Sequence, residues 1–127
     1  MTQSEIKNRF QQQYGLMLEN YLTDNNFEQD EVERFFNRQK KLLIAYCKSI
    51  IRRFNFDKLP ITNKDFFNEL VLEQMYYVLC TFDYTTISGI DIGVNTTMPL
   101  QELTQRYISP IVKMELNGSG LLYRGLW

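Results

Sequence analysis

The feature that most constrains the fold is an apolar repeat of about 3.6 residues between Asp30 and Phe54. Residues that recur at this interval share one face of an α-helix. The acids come first in this segment and the bases follow, which is the order that the helix dipole favours. The pattern predicts a long amphipathic helix of about seven turns, whose apolar face other elements must cover. The apolar positions are Val32, Phe35, Phe36, Leu42, Leu43, Tyr46, Ile50 and Phe54.

Two further helices flank this segment. Thr2 and Glu5 have the spacing of a capping box, and Gly15 can end the helix that they begin. Thr62 or Asn63 caps a third helix that extends to about Tyr84. The apolar arc of this third helix is wide, which indicates packing on more than one side, against other elements or another subunit. It comprises Phe67, Leu70, Val71, Met75, Val78, Leu79 and Phe82.

The composition changes between Thr85 and Met98, where two glycines and several threonines occur. This segment is either a surface loop or small hairpin, or a mobile loop that orders on assembly. Thr97 then caps a fourth helix that has Pro99 in its first turn. Its inward-facing positions are Leu100, Leu103, Tyr107 and Ile108.

Pro110 is expected to end or kink this last helix. Residues Ile111 to Leu116 either continue the helix beyond a kink or form a strand that pairs with Leu121 to Tyr123. We favour a kinked helix followed by an extended tail over residues 117–127. The tail is unusually apolar for a chain end, so it either docks on a partner, hinged at Gly118 and Gly120, or folds onto its own domain.

These patterns predict a single domain over residues 1–127. Its fold class is mostly α: a small bundle of about four helices with one long central helix, a loop or small hairpin before the last helix, and an extended C-terminal tail. A chain of 127 residues with 44% hydrophobic and 14% aromatic content can build one aromatic-rich core.

Composition also limits the classes of function. The chain has no histidine, and we find no nucleophile elbow, phosphate-cradling loop or paired-cysteine motif, so we expect no enzyme, cofactor or metal site. Cys47 and Cys80 lie in apolar helical patterns, which favours buried free thiols in a reducing compartment. The start of the chain lacks the apolar run of a signal peptide, and no segment reads as a membrane span, so a cytoplasmic protein is expected.

Two charged ridges emerge when the helices are drawn as wheels. Five basic residues share a narrow arc opposite the apolar stripe of the long helix: Arg34, Arg38, Lys41, Lys48 and Arg52. Four-residue spacing aligns an acidic ridge on the third helix: Asp65, Glu69 and Glu73. Both could be ordinary solvated faces. Alternatively, the basic ridge contacts phosphates or a partner, or the two ridges pair between helices or between subunits of a ring.

The helix order, the segment KKLLIAYCKSIIRRF, the loop before the last helix and the tail GLLYRGLW together resemble the head-tail connector, or head-completion, family of tailed bacteriophages. The resemblance covers nearly the whole chain at the level of pattern. It implies a small helical protein that binds the portal protein and forms a homo-oligomeric ring of roughly twelve copies around the DNA channel. Its location would be the neck of the virion, with the host cytoplasm as its location during assembly.

Carried over by position, the resemblance implies that the tail contacts the portal or a neighbouring subunit. The loop before the last helix would line the channel or meet the next neck or tail component. The tail positions are Leu121, Leu122, Tyr123, Arg124, Leu126 and Trp127. The loop positions are Ile87, Ile90, Asp91, Ile92, Val94 and Asn95.

The predicted function is therefore a non-enzymatic structural adaptor that matches the portal ring to the next component and lets DNA pass, with nonspecific DNA contact and no membrane contact. The alternative is a small helical phage regulatory or nucleic-acid-binding protein that uses the basic face from Arg34 to Arg52. Such binding would weaken steeply with added salt.

Overall fold

The computed structural model describes residues 1–15, 18, 20, 31–82 and 107–122, and these residues are mostly helical. The predicted fold class, mostly α with a long central helix, is confirmed. No β-strand occurs within the described ranges. The elements in chain order are α1 (Gln3–Tyr14), α2 (Val32–Ile50), a 3-10 turn (Phe56–Lys58), α3 (Ile61–Thr81) and α4 (Pro110–Gly118).

Helix α1 begins and ends at the residues that the sequence pattern indicates. The Thr2 hydroxyl oxygen accepts a hydrogen bond from the Glu5 backbone N–H at 3.3 Å. Gly15 has a φ of 67°, and its N–H donates to the Gln11 carbonyl. This left-handed conformation is one that glycine adopts without strain. The apolar side of α1 enters the core through Ile6 and Phe10.

Helix α2 is shorter than its apolar repeat predicts, since it starts at Val32 and ends at Ile50. Ile51 is extended, with φ and ψ of −120° and 104°. Phe54 is nevertheless buried, and its ring lies 6.0 Å from that of Phe67 on α3. A turn after Ile51 therefore returns Phe54 to the core, so its apolar spacing does not mark a helical position.

Helix α3 is the longest described helix, at 21 residues, and it starts earlier than predicted. Pro60 occupies the N-cap position, and its carbonyl accepts from the Lys64 N–H at 2.9 Å. Thr62 and Asn63 lie within the first turn and are not the cap. The helix ends at Thr81 because Phe82 is extended; the predicted endpoint near Tyr84 lies outside the described residues.

The wide apolar arc of α3 is packed on several sides, as predicted, and the described covering elements belong to the same chain. Helix α2 packs along α3, and α4 contacts it as well. From α1, the Tyr14 ring stacks on the Tyr76 ring at 4.5 Å. The buried α3 positions are Phe67, Leu70, Val71, Leu72, Gln74, Met75, Val78 and Leu79.

The helix breaks at Pro110, as predicted: Tyr107 is helical, Ser109 is not, and a new helix starts at Pro110. Pro110 is the first residue of α4, and the Ser109 side chain caps α4 by accepting from the Val112 N–H at 3.4 Å. A proline suits this position because its missing N–H would have no partner inside the helix. Helix formation over 110–118 also rules out the strand alternative for Ile111 to Leu116. The predicted helix starting at Thr97 lies outside the described residues except at its end, where Ile108 is buried.

A buried glutamine holds the start of α4 against α3. The Gln74 amide nitrogen donates to the Tyr107 carbonyl at 2.6 Å and to the Gln39 side chain at 3.2 Å. Its oxygen accepts from the Ser109 N–H at 2.9 Å. Buried backbone groups need partners, and the break before Pro110 leaves two of them here. Gln74 supplies both, while the Gln39 amide nitrogen has no partner among the described atoms.

The chain folds back onto the core after α4. Gly120 has a φ of 83°, and the Leu121 N–H donates to the Ser119 hydroxyl oxygen at 3.1 Å. Leu121 is only 3% exposed and belongs to the core cluster. An extended tail from residue 117 is therefore wrong for residues 117–122. The other expectation, a tail that folds onto its own domain, is confirmed for residues 117–122.

Replacing Leu121 with Ala should destabilise the protein by about 2 to 5 kcal/mol, because the change leaves a cavity in the core. The measurement is urea unfolding followed by circular dichroism. The matched control is Met114→Ala, whose side chain is 67% exposed, and it should change stability by about 0.5 kcal/mol or less. If both changes lower the free energy of unfolding by the same small amount, Leu121 does not belong to the core.

Replacing Gln74 with Met should destabilise the protein by roughly 2 to 4 kcal/mol, since two buried backbone groups lose their partners at about 1 to 3 kcal/mol each. Met is similar in length and suits a helix. Gln12→Met on the exposed side of α1 is the control. Hydrogen exchange of the Ser109 backbone amide should become faster in Gln74→Met and stay unchanged in the control. An unchanged exchange rate in Gln74→Met would contradict a role of Gln74 in holding the start of α4.

Candidate interaction surfaces

The acidic ridge lines a cleft between α1, α3 and α4. We call this the acidic cleft, and its volume is about 630 Å³. Its carboxylates are Asp65, Glu69 and Glu73 of α3 and Glu115 of α4. The remaining described lining residues are Arg9, Gln12, Gln13, Phe66, Leu70 and Leu72. The cleft thus combines apolar side chains with four carboxylates that share one side of the molecule.

Arg9 offsets little of this negative charge. Its guanidinium lies 3.9 Å from the Asp65 carboxylate, and both side chains are well exposed. Exposed pairs of this kind contribute about 0 to 1 kcal/mol. Four carboxylates against one guanidinium leave a formal charge of −3 on the described lining. The cleft therefore presents a negative potential to anything that approaches it.

Tyr14 contacts the acidic cleft through Glu73, because its phenol donates a hydrogen bond to the Glu73 carboxylate. Burial raises the pKa of Tyr14 well above its usual value, and the hydrogen bond to Glu73 and the charge of that carboxylate raise the pKa further. The charge of Glu115 acts in the same direction. Tyr14 thus stays protonated as a donor that holds Glu73 in place.

Sequence reasoning found three of the four carboxylates and missed the fourth, together with its neighbours. Asp65, Glu69 and Glu73 follow from spacing along one helix, whereas Glu115, Arg9 and Tyr14 come from two other helices. No signal along the chain places these residues together, because their proximity depends on how α1 and α4 cross α3.

The basic ridge lies on α2, except for its last member. Arg34, Arg38, Lys41 and Lys48 are helical residues, but Arg52 follows the end of α2 and lies in the turn. Arg34, Arg38 and Lys41 line a second cleft of about 630 Å³, which we call the basic cleft. Its other described lining residues are Glu33, Asn37, Lys40 and Ile44.

The described ion pairs do not join the two ridges. Arg34 lies 3.2 Å from Glu31 on its own side of the molecule. Asp65 instead faces Arg9. The predicted pairing between ridges of neighbouring helices is thus not among the described contacts, and the two clefts share no described lining residue.

Lys40 lines the basic cleft and also packs on the ring of Phe56. Its ammonium nitrogen lies 3.7 Å from the centre of the Phe56 ring, and the Lys64 nitrogen lies 5.9 Å from it. Burial lowers the pKa of Lys40, and Asp57 partly offsets this shift. The two lysines bind the 3-10 turn to α2 and α3 through cation–π contacts.

Helix α4 carries two exposed apolar side chains. Ile111 is 48% exposed and Met114 is 67% exposed, one helical turn apart. Of the predicted tail contacts, Leu121 is buried and Leu122 is half-buried against the core. The remaining predicted tail contacts, Tyr123, Arg124, Leu126 and Trp127, lie outside the described residues. So do all six predicted loop positions, Ile87, Ile90, Asp91, Ile92, Val94 and Asn95.

The two cysteines differ in their surroundings. Both are free thiols, but only Cys47 is buried, and its burial raises the thiol pKa to about 12. Cys80 is exposed, so the expectation that both thiols are buried is wrong for Cys80. Among the described residues, no group of His, Cys, Asp and Glu side chains is arranged to hold a metal ion. No described helix is both long and apolar enough to cross a membrane.

Tyr14→Phe should make stability less sensitive to alkaline pH. In the parent protein the folded-state pKa of Tyr14 lies above the unfolded value of about 10, so the unfolded chain loses this proton first as pH rises. The stability that neutral Tyr14 contributes is fully present below about pH 10 and is lost as pH rises through the folded-state pKa.

The measurement is the free energy of unfolding in urea at about pH 8 and about pH 10.5, on either side of the tyrosine value. The parent should lose more stability between these two conditions than Tyr14→Phe. Tyr77→Phe removes a half-buried phenol away from the acidic cleft and serves as the control. If the free energy of unfolding of Tyr14→Phe falls as much between the two pH values as that of the parent, Tyr14 is not a source of the loss.

Comparison of the chain with protein-family models, with curated proteins and with solved structures finds no match.

Proposed function

We propose that this protein is a structural adaptor of a tailed bacteriophage, located between the portal and the next neck or tail component. In this proposal it forms a homo-oligomeric ring around the DNA channel and performs no chemistry. The family resemblance described above motivates the proposal, and the surface at the end of the chain carries it.

The observation that carries the proposal is the exposure of two apolar side chains on α4. Ile111 and Met114 are the two exposed apolar side chains of this helix, and such side chains favour a protein contact over water. The sequence that follows adds Tyr123, Leu126 and Trp127, and aromatic residues dominate contact energies at interfaces. We assign the exposed α4 side chains to a contact with the portal, to which residues 123–127 would add.

Helix α4 is a suitable platform because it is firmly held. The Gln74 side chain clamps the backbone before α4, Ser109 caps it, and Leu121 returns to the core after it. A docking surface that is already ordered loses little conformational entropy on binding. In the proposed complex, the docking segment starts on α4 and continues after Leu122, and Leu121 serves as its anchor.

The remaining parts of the proposal concern the other partners. Residues 87–95 would line the channel or meet the next component. DNA passing through the ring would make nonspecific contacts at most. The second candidate function, nucleic-acid binding by the basic face, is favoured by the convergence of Arg34, Arg38 and Lys41 on one cleft. Glu33 in that cleft and Glu31 beside Arg34 reduce its attraction for phosphates.

Removing residues 123–127 should abolish binding to the portal of the same phage while the helical fold is retained. The cut falls after Leu121 and Leu122, so the described core contacts stay in the chain. Portal binding is measured by co-sedimentation with purified portal rings, and folding by circular dichroism and thermal unfolding. The control is Ile61→Ser, which removes another exposed apolar side chain, 78% exposed, at the start of α3.

A second variant tests α4 itself. Ile111→Ser with Met114→Ser should weaken portal binding without unfolding the protein, since both side chains are exposed. Undiminished portal binding by both the truncated chain and the double variant would refute the proposed docking surface. Salt-sensitive DNA binding by the monomer, lost on reversing Arg34 and Arg38, would favour the second candidate.

A further inference from the structure

We infer that the acidic cleft of one copy receives the basic face of α2 from a second copy, giving a head-to-tail contact between subunits. This inference rests on the proposed assembly of copies into a ring, whose subunit contact it identifies, and it is independent of docking on the portal. The basic face here means Arg34, Arg38 and Lys48.

The acidic cleft suits a cationic occupant. Its described lining carries four carboxylates and one guanidinium, and Glu69 and Glu115 are exposed. The nearby side chains Phe66, Leu70 and Leu72 give it an apolar lining beneath these charges. Long basic side chains suit such a cleft, because their methylene stems pack on apolar surface while their charged ends reach carboxylates.

The basic face of α2 supplies that chemistry. Its arginines and lysine extend over four turns of one helix, from Arg34 to Lys48. Arg34 and Arg38 lie one turn apart in the basic cleft, and Ile44 adds an apolar side chain to the same lining. Asp65, Glu69 and Glu73 also repeat at one-turn intervals along α3. Two helices with matched spacing of opposite charges can align side by side.

The complementarity acts between copies, since among the described residues no ion pair joins Arg34, Arg38 or Lys48 to the acidic cleft. Arg34 pairs with Glu31 and Asp65 with Arg9, each away from the opposite ridge. The two clefts have no described lining residue in common. Two different matching surfaces on one protomer produce a heterologous contact, which repeats from copy to copy and closes into a ring when the rotation permits.

The test uses two charge-reversed variants of the full chain. Variant one carries Glu69→Lys and Glu115→Lys, which makes both surfaces basic. Variant two carries Arg34→Glu and Arg38→Glu, which changes the formal charge of the described basic-cleft lining from +3 to −1 and so makes both surfaces acidic. Self-association is measured by sedimentation velocity and native mass spectrometry at low ionic strength, where exposed charges are least screened. Arg53→Glu with Lys58→Glu, two exposed bases in the turn before α3, is the matched control.

We expect each variant alone to self-associate at least about tenfold more weakly than the parent, because like charges now face each other. An equimolar mixture should regain association, with the two variants alternating, since each mixed contact joins opposite charges. The control should behave like the parent, and high salt should dissociate the parent. Thermal unfolding confirms that every variant is folded.

Three outcomes would overturn the inference. The first is a parent that stays monomeric while the mixture also fails to associate. The second is undiminished self-association of either variant alone. The third is a control that self-associates as weakly as variant two. This outcome would mean that general loss of positive charge, rather than loss of the basic face, weakens self-association. Portal co-sedimentation of the parent separates this result from the proposed function. A parent that binds the portal but shows any of these three outcomes refutes only the head-to-tail contact. A parent that self-associates as expected but does not bind the portal refutes only portal docking.

Discussion

The burial of α3 is the constraint on which the rest of the structure depends. A 21-residue helix with buried side chains around most of its circumference cannot exist in water alone, because its apolar surface must be removed from solvent. Helix α2 covers one side, α4 another, and α1 a third through the stacked rings of Tyr14 and Tyr76. Each of these helices has its own amphipathic pattern; α2 and α4 pack on α3, and α1 packs mainly on α2.

One polar residue on α3 gives this apolar packing a defined geometry. Apolar contacts alone tolerate sliding, whereas the hydrogen bonds from Gln74 to Tyr107, Ser109 and Gln39 have fixed directions and lengths. Buried polar groups are costly unless they are paired. The Gln74 bonds therefore determine where α4 begins and which of its side chains face outward, and so position both the exposed apolar side chains of α4 and the contribution of Glu115 to the acidic cleft.

The charged surfaces follow from the same arrangement. Because α3 is buried on its other sides, its acidic positions collect in the remaining gap between α1 and α4. Helix α2 buries one stripe against α3 and leaves its bases outside. The protein thus carries opposite charges in separate places, although its net formal charge is only −1. A nearly neutral chain with separated charges is suited to contacts between unlike surfaces.

The sequence by itself determined the helices, because capping residues and apolar periodicity act locally. Thr2, Glu5 and Gly15 define α1 almost to the residue. The apolar arcs of α2 and α3 predict most of the buried side chains, but Ile50 is 37% exposed. Prediction failed where local signals have two meanings. Phe54 has helical spacing but reaches the core through a turn, and Leu121 lies in the expected extended tail but is buried in the core.

Only the tertiary structure decided which residues come together. The acidic cleft needs Glu115 and Tyr14 beside Glu73, and this depends on the crossing of three helices that lie far apart along the chain. The return of Leu121 to the core likewise depends on space left beside α4, since an apolar residue near a chain end can either dock elsewhere or fold back. Local patterns establish that a side chain must leave water, but the three-dimensional packing of the helices determines which surface receives it.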